Sequence, residues 1–163
     1  MIRTLLTTVA ALCAMAGMAS AANAQITRTG PPTAAIAASV TVPAGTDLYF
    51  LSGALPDPTT PATATTPAVY ANTEVQAENV FTKIAANLKG LGLTEGDVVS
   101  MTIYLAADPA TGKNDFAGMM KAYTKHYGTA AQPNKPSRST VQVAALVAPG
   151  ALLEVEVTAA KKK

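Results

Sequence analysis

Val99, Met101, Ile103 and Leu105 alternate with Ser100, Thr102 and Tyr104, and Leu153, Val155 and Val157 alternate with Glu154 and Glu156. A period of two sends the apolar side chains of a strand to one face and the polar ones to the other. The chain must therefore build a sheet that is apolar on one side only, and other elements must cover that side.

Two helical stripes are available as cover. Ala77, Val80, Phe81, Ile84 and Leu88 recur at helical spacing behind Thr73-x-x-Gln76, which has capping-box spacing. Glu74 and Glu78 near the start, and Lys83 and Lys89 toward the end, suit the helix dipole, and Gly90 or Gly92 stops the helix. From Asp115 onward, Phe116, Met119, Met120, Tyr123 and Tyr127 mark a second helix.

Further strand signals surround these helices. Ser39, Val40, Thr41 and Val42 precede a turn at 43–47, and Leu48, Tyr49, Phe50 and Leu51 follow it, closed by Ser52 and Gly53. That pattern predicts a hairpin. Residues 98–107, 139–146 and 151–158 read as strands, the last two joined by a turn at Ala148, Pro149 and Gly150 into a second hairpin. The order ββ-α-β-α-ββ is α+β: one mixed sheet with two helices on a single face, over residues 34–160. The sheet's other face calls for cover by further copies of the chain. Residues 56–67, rich in Pro, Thr and Ala, are expected as an exposed loop, residues 25–33 as a flexible leader and 161–163 as a solvated basic tail.

Residues 1–24 read as a cleaved secretory signal. Arg3 supplies the positive start, an apolar run from Leu5 to Met18 follows, and Ala22, Asn23 and Ala24 offer a small-x-small cleavage pattern. The expected destination is outside the cytoplasm, in the periplasm. Cys13 falls inside this segment and is preceded by Leu12, the wrong context for lipidation. Residues 25–163 contain no cysteine, which excludes thiol catalysis, disulfides and cysteine-ligated metals. A length of 163 residues suits one domain, and 13% charged residues with a net charge of +2 exclude a strongly basic nucleic-acid binder.

Candidates for chemistry are few. His126, the one histidine, lies near the end of the second helix and reads as a capping or solvated residue. Gly90 and Gly92 follow a helix, not the context of a phosphate loop. Arg138 is, apart from Arg28 in the leader, the only arginine of residues 25–163. Its planar fork suits bidentate capture of a carboxylate. Two readings stand at this point: an anion anchor in a cleft, or a structural salt bridge to Glu154 or Glu156 on the neighbouring strand of the hairpin. The two glutamates share the polar face of the last strand, either solvated or covered by a second subunit.

The stretch Pro136-Ser137-Arg138-Ser139-Thr140-Val141-Gln142-Val143, followed by Leu153, Glu154, Val155 and Glu156, resembles the C-terminal signature of the Rid (YjgF-type) proteins. The strand ending in Ser52 and Gly53, the first helix with its Gly-Leu close, Asp97 opening the third strand, and Asp115, Phe116 and Tyr123 are similar as well. The resemblance implies a chorismate-mutase-like fold assembled as a homotrimer with clefts between subunits. It also implies hydrolysis of reactive enamines and imines derived from amino acids to 2-keto acids and ammonia, with no metal or organic cofactor. In that scheme Arg138 binds the substrate carboxylate and Glu154 helps position water or substrate. Thr140, Ser52, Gly53 and Met120 line the pocket. Ala38 stands at or near a position where relatives carry tyrosine, and Met120 where some carry asparagine, so a larger and more apolar pocket is expected. The alternative function is a non-catalytic ligand-binding or chaperone-like trimer of the same fold.

Overall fold

The computed structural model describes residues 25–162, so the expected signal segment and Lys163 lie outside the described residues. The elements are β1 (Thr27–Thr29), β2 (Ser39–Thr41), β3 (Thr46–Ala54), α1 (Thr73–Gly90), a 3-10 turn (Glu95–Asp97), β4 (Val98–Ala106), α2 (Phe116–His126), β5 (Ser137–Val143) and β6 (Leu153–Lys162). Strands β3, β6, β4 and β5 form one sheet in that order, and β1 with β2 a small second one. β3 and β4 run antiparallel to β6, and β5 runs parallel to β4. The sheet is mixed and both helices pack on one face, as the patterning predicts.

Met101, Ile103, Leu105, Leu153, Val155 and Val157 point into a core closed by the buried stripe of α1 and by Met119, Ala122 and Tyr123 of α2. The other face carries Thr102, Tyr104, Glu156 and Thr158, with Phe50 79% exposed.

Both predicted hairpins are absent. β2 pairs with β1 instead of β3, and β3 pairs along its length with β6. Pairing with β6 lets Tyr49 and Leu51 pack against the core, whereas a three-residue strand has little apolar surface to contribute. At the other end of the chain, β4 lies between β5 and β6. β6 is buried along Leu153, Val155, Val157 and Ala159 and takes a central place, while β5, with Ser139 and Gln142 exposed, takes an edge.

The leader, expected as flexible, instead forms β1, and Arg28 Nη2 donates to the carbonyls of Gly96 at 3.0 Å and Val98 at 3.2 Å. Residue 72 caps α1, one position before the predicted box: Asn72 Oδ1 accepts from the Val75 amide at 3.1 Å. Gln76 is 2% exposed and ties the helix start to the segment before β6. Its Nε2 donates to Ala71 O at 2.7 Å, and its Oε1 accepts from Leu152 N at 2.8 Å. Gly92, at φ +73°, ends α1 in a Schellman turn, with Leu93 N bonded to Leu88 O and Gly92 N to Lys89 O. Asp115 caps α2 by accepting from Gly118 N at 2.7 Å. The Pro/Thr/Ala loop is tied to α1 at its start, where Lys83 Nζ meets Asp57 Oδ1 and Leu55 O, each at 2.8 Å.

Candidate functional site

Arg138 is the second residue of β5 and stands in register with Met101, so its side chain leaves the sheet on the helix-covered face. There its guanidinium carbon sits 4.2 Å from the centroid of the Tyr123 ring, and Nη2 lies 3.3 Å from Met120 Sδ. Nε and Nη1 are buried and have no hydrogen-bond partner among the described residues. Thr140, one row along on the same face opposite Ile103, also has a buried hydroxyl without a partner. Burial lowers the Arg138 pKa from its usual value, and the same burial pushes the Tyr123 phenol up to about 12. Both remain in their ordinary states near neutrality, a cation over a neutral ring.

A cavity of about 360 Å³ lies at the same sheet edge, lined by the 36–38 segment, by Arg138, and by Ser100, Thr102, Ser137 and Ser139 of the open face, whereas Met120, Tyr123 and Thr140 do not line it. The 35–38 segment is held there by Ala37 N donating to Pro136 O at 3.0 Å and by the Tyr123 hydroxyl donating to Ala35 O at 3.1 Å.

The structural salt bridge considered for Arg138 is not formed. Glu154 stands in register with Tyr104, whose phenol donates to Glu156 Oε2 at 3.0 Å on the open face. Arg138 and Glu154 are thus separated by the whole of β4 and leave the sheet on opposite faces. Glu154 lies instead over Gly53, where a β-carbon would overlap Glu154 Oε1. Ser52 and Gly53 occupy the irregularity of β3 between Leu51 and Ala54 and line a separate groove of about 840 Å³ beside α1. One protomer therefore gathers Arg138, Thr140 and Met120 at the β5 edge, and Ser52, Gly53 and Glu154 around β3 and β6. It does not join the two groups.

Tyr123 is the residue that sequence reasoning left in the core. Its one available signal was spacing, three residues after Met120 on the same helix face. His126 also differs from expectation. Its side chain is 13% exposed, with Nδ1 2.7 Å from Glu95 Oε1 and Nε2 3.1 Å from Glu78 Oε1. Glu95 above all, then Glu78, raises its pKa against the opposing effect of burial. Both carboxylates come from outside α2, so no local pattern around position 126 contains them. Among the described residues no cluster of three or more His, Cys, Asp or Glu is arranged to hold a metal ion.

Two helices on one face of a mixed four-stranded sheet define the class as α+β, with a buried guanidinium near the sheet edge as the candidate site. The profile of the family described as Endoribonuclease L-PSP matches residues 30–161, and the chain belongs to that family, among the Rid and YjgF proteins. A RutC family protein of Haemophilus influenzae is 32% identical over 116 residues, 71% of this chain and 81% of the relative. Among solved structures, a Rid family protein of Yersinia pestis superposes with a TM-score of 0.60 at 20% identity, over 82% of this chain and 97% of that one. TdcF of E. coli, solved with bound serine, superposes with a TM-score of 0.55 at 29% identity, over 74% of this chain and 85% of its own.

Proposed function

We propose that the protein hydrolyses enamines and imines derived from amino acids, with Arg138 as the anchor for the substrate carboxylate. The observation that carries this reading is the buried guanidinium whose Nε and Nη1 have no partner among the described residues, beside the equally unpartnered Thr140 hydroxyl. A buried cation with open donors is costly unless an anion completes it. A carboxylate is the anion that a guanidinium fork fits best among small metabolites of this class. Serine, the molecule bound to the related TdcF, carries such a carboxylate.

In this scheme a water adds to the imine carbon, the C–N bond of the resulting carbinolamine breaks, and a 2-keto acid and ammonia leave. Holding the carboxylate and a water in place is sufficient assistance for so labile a bond. Glu154 is the group proposed to orient that water. Because Glu154 and Arg138 leave opposite faces of one sheet, the complete site joins two copies of the chain, and a homotrimer supplies such clefts. Exposed Phe50, Leu48 and Val141 are apolar surface that a neighbouring copy would cover. With an export signal at residues 1–24, the reaction runs in the periplasm on imines formed outside the cytoplasm. Uncleaved protein confined to the cytoplasmic fraction would remove that part of the proposal.

The non-catalytic alternative draws on Met120, whose thioether occupies Nη2 and puts an apolar group against the anchor. The ribonuclease activity in the family's description gains less from the site, since His126 is committed to Glu78 and Glu95. The deciding test is hydrolysis of 2-iminobutanoate generated in situ, against spontaneous hydrolysis and the Arg138→Ala variant. Acceleration lost in the variant supports the deaminase. A folded protein that binds 2-keto acids through Arg138 without turnover supports the binding reading.

A further inference from the structure

We infer that Tyr123 is a positioning residue for Arg138: its ring is the platform that fixes the plane of the guanidinium, and its hydroxyl holds the segment that leads into the 36–38 wall at the same sheet edge. The inference rests on the carboxylate-anchor reading given above, and adds to it the side chain that sets the anchor's geometry.

Tyr123 lies at the centre of an aromatic block and is fully buried. Tyr127 stacks on it at 5.1 Å with ring planes 21° apart, and Phe81 meets it edge-on at 6.1 Å and 68°. Neighbours on two sides leave the ring one orientation, and the Arg138 guanidinium lies 4.2 Å from its centroid. Among the described residues the one other polar contact of the guanidinium is Met120 Sδ, and a thioether is a weak acceptor. With no carboxylate or carbonyl to orient it, the planar cation takes its direction from the ring face, an attraction that grows when water is excluded.

The hydroxyl has a second task. It donates to Ala35 O at 3.1 Å, directly before the Ile36, Ala37 and Ala38 wall of the cavity. One side chain thus sets the spacing between anchor and wall. That spacing decides how large a group the bound carboxylate can carry.

Three measurements separate the roles: affinity for 2-oxobutanoate, KM and kcat for imine hydrolysis, and thermal melting of each variant. Tyr123→Phe keeps the ring, and is expected to bind 2-oxobutanoate within about threefold of the parent. Phenylalanine at position 123 bearing successive ring fluorines keeps the shape while draining the ring's negative face. Affinity is expected to fall stepwise, by about tenfold at three fluorines, through KM and not kcat. Tyr123→Leu is expected to match or exceed that loss where it folds, and the fluorinated series stands in for it where it does not. The Tyr123→Phe variant, with its wall released, is expected to lose preference between small and branched substrates.

A fluorinated series with unchanged affinity and an unchanged KM, in a protein where Arg138→Ala abolishes binding, overturns the role of Tyr123 and leaves the anchor standing. A parent protein that does not bind 2-oxobutanoate overturns both.

Discussion

The carboxylate of Glu154 lies over the α-carbon of Gly53, in the volume that any other residue at position 53 would need for its side chain. Gly53→Ala must therefore push the Glu154 carboxylate aside. The displaced atoms are the end of a flexible side chain, so the expected stability loss is small, under about 1 kcal/mol. The expected loss of imine hydrolysis is as large as that of Glu154→Gln. Thermal melting beside kinetics checks this, and a variant with parental kcat would show that the placement of Glu154 is immaterial.

Replacing Arg138 with an apolar residue of similar length separates function from stability. Arg138→Met removes a buried cation with two unpartnered nitrogens and leaves a side chain that packs on Tyr123 and Met120. The ligand-free protein is expected to be as stable as the parent or more stable by about 1 kcal/mol, while carboxylate binding is lost. Urea unfolding measures this, and marked destabilisation would mark Arg138 as a structural residue.

Gln76 closes a buried polar junction through Ala71 O, Gly150 O and Leu152 N. Gln76→Leu strands the Leu152 amide and is expected to cost about 2 to 3 kcal/mol. Urea unfolding again provides the measurement, and faster hydrogen exchange at Leu152 is the local signature.

His126, Glu78 and Glu95 make stability depend on pH in a definite sense. The folded-state pKa of His126 lies above its ordinary 6.5, so its contribution is complete below 6.5 and disappears as pH rises through the folded value. Burial alone would raise the Glu78 pKa, but the hydrogen bonds from Lys125 and His126 outweigh it and bring it below 4.5. The part owed to Glu78 is therefore present above 4.5 and lost as pH falls through its folded value. The stability gap between the parent and His126→Gln is expected to be widest between pH 4.5 and 6.5 and to narrow above that range. A gap that widened with rising pH would contradict the ion pairs.

Much of this was legible in the chain. The stripe Ala77, Val80, Phe81, Ile84 and Leu88 is buried as its spacing implied, and Val98–Ala106 alternates as a strand should. Such features depend on neighbours within a few residues, and sequence patterns report those directly. Arg138 stood out as an isolated guanidinium. Its lack of a counter-ion did not, because Glu154 and Glu156 looked like neighbours on a hairpin.

Alternation, helical stripes and the unusual arginine were determined by the sequence alone, since each is a property of residues near one another along the chain. Strand order was decided only in the tertiary structure, by competition for the buried positions of one sheet. β6 won the place beside both β3 and β4 because Leu153, Val155, Val157 and Ala159 bury more apolar surface there than β5 could. That outcome put β4 between Arg138 and Glu154, set Tyr123 beneath the guanidinium, and enclosed His126 between two carboxylates from distant segments.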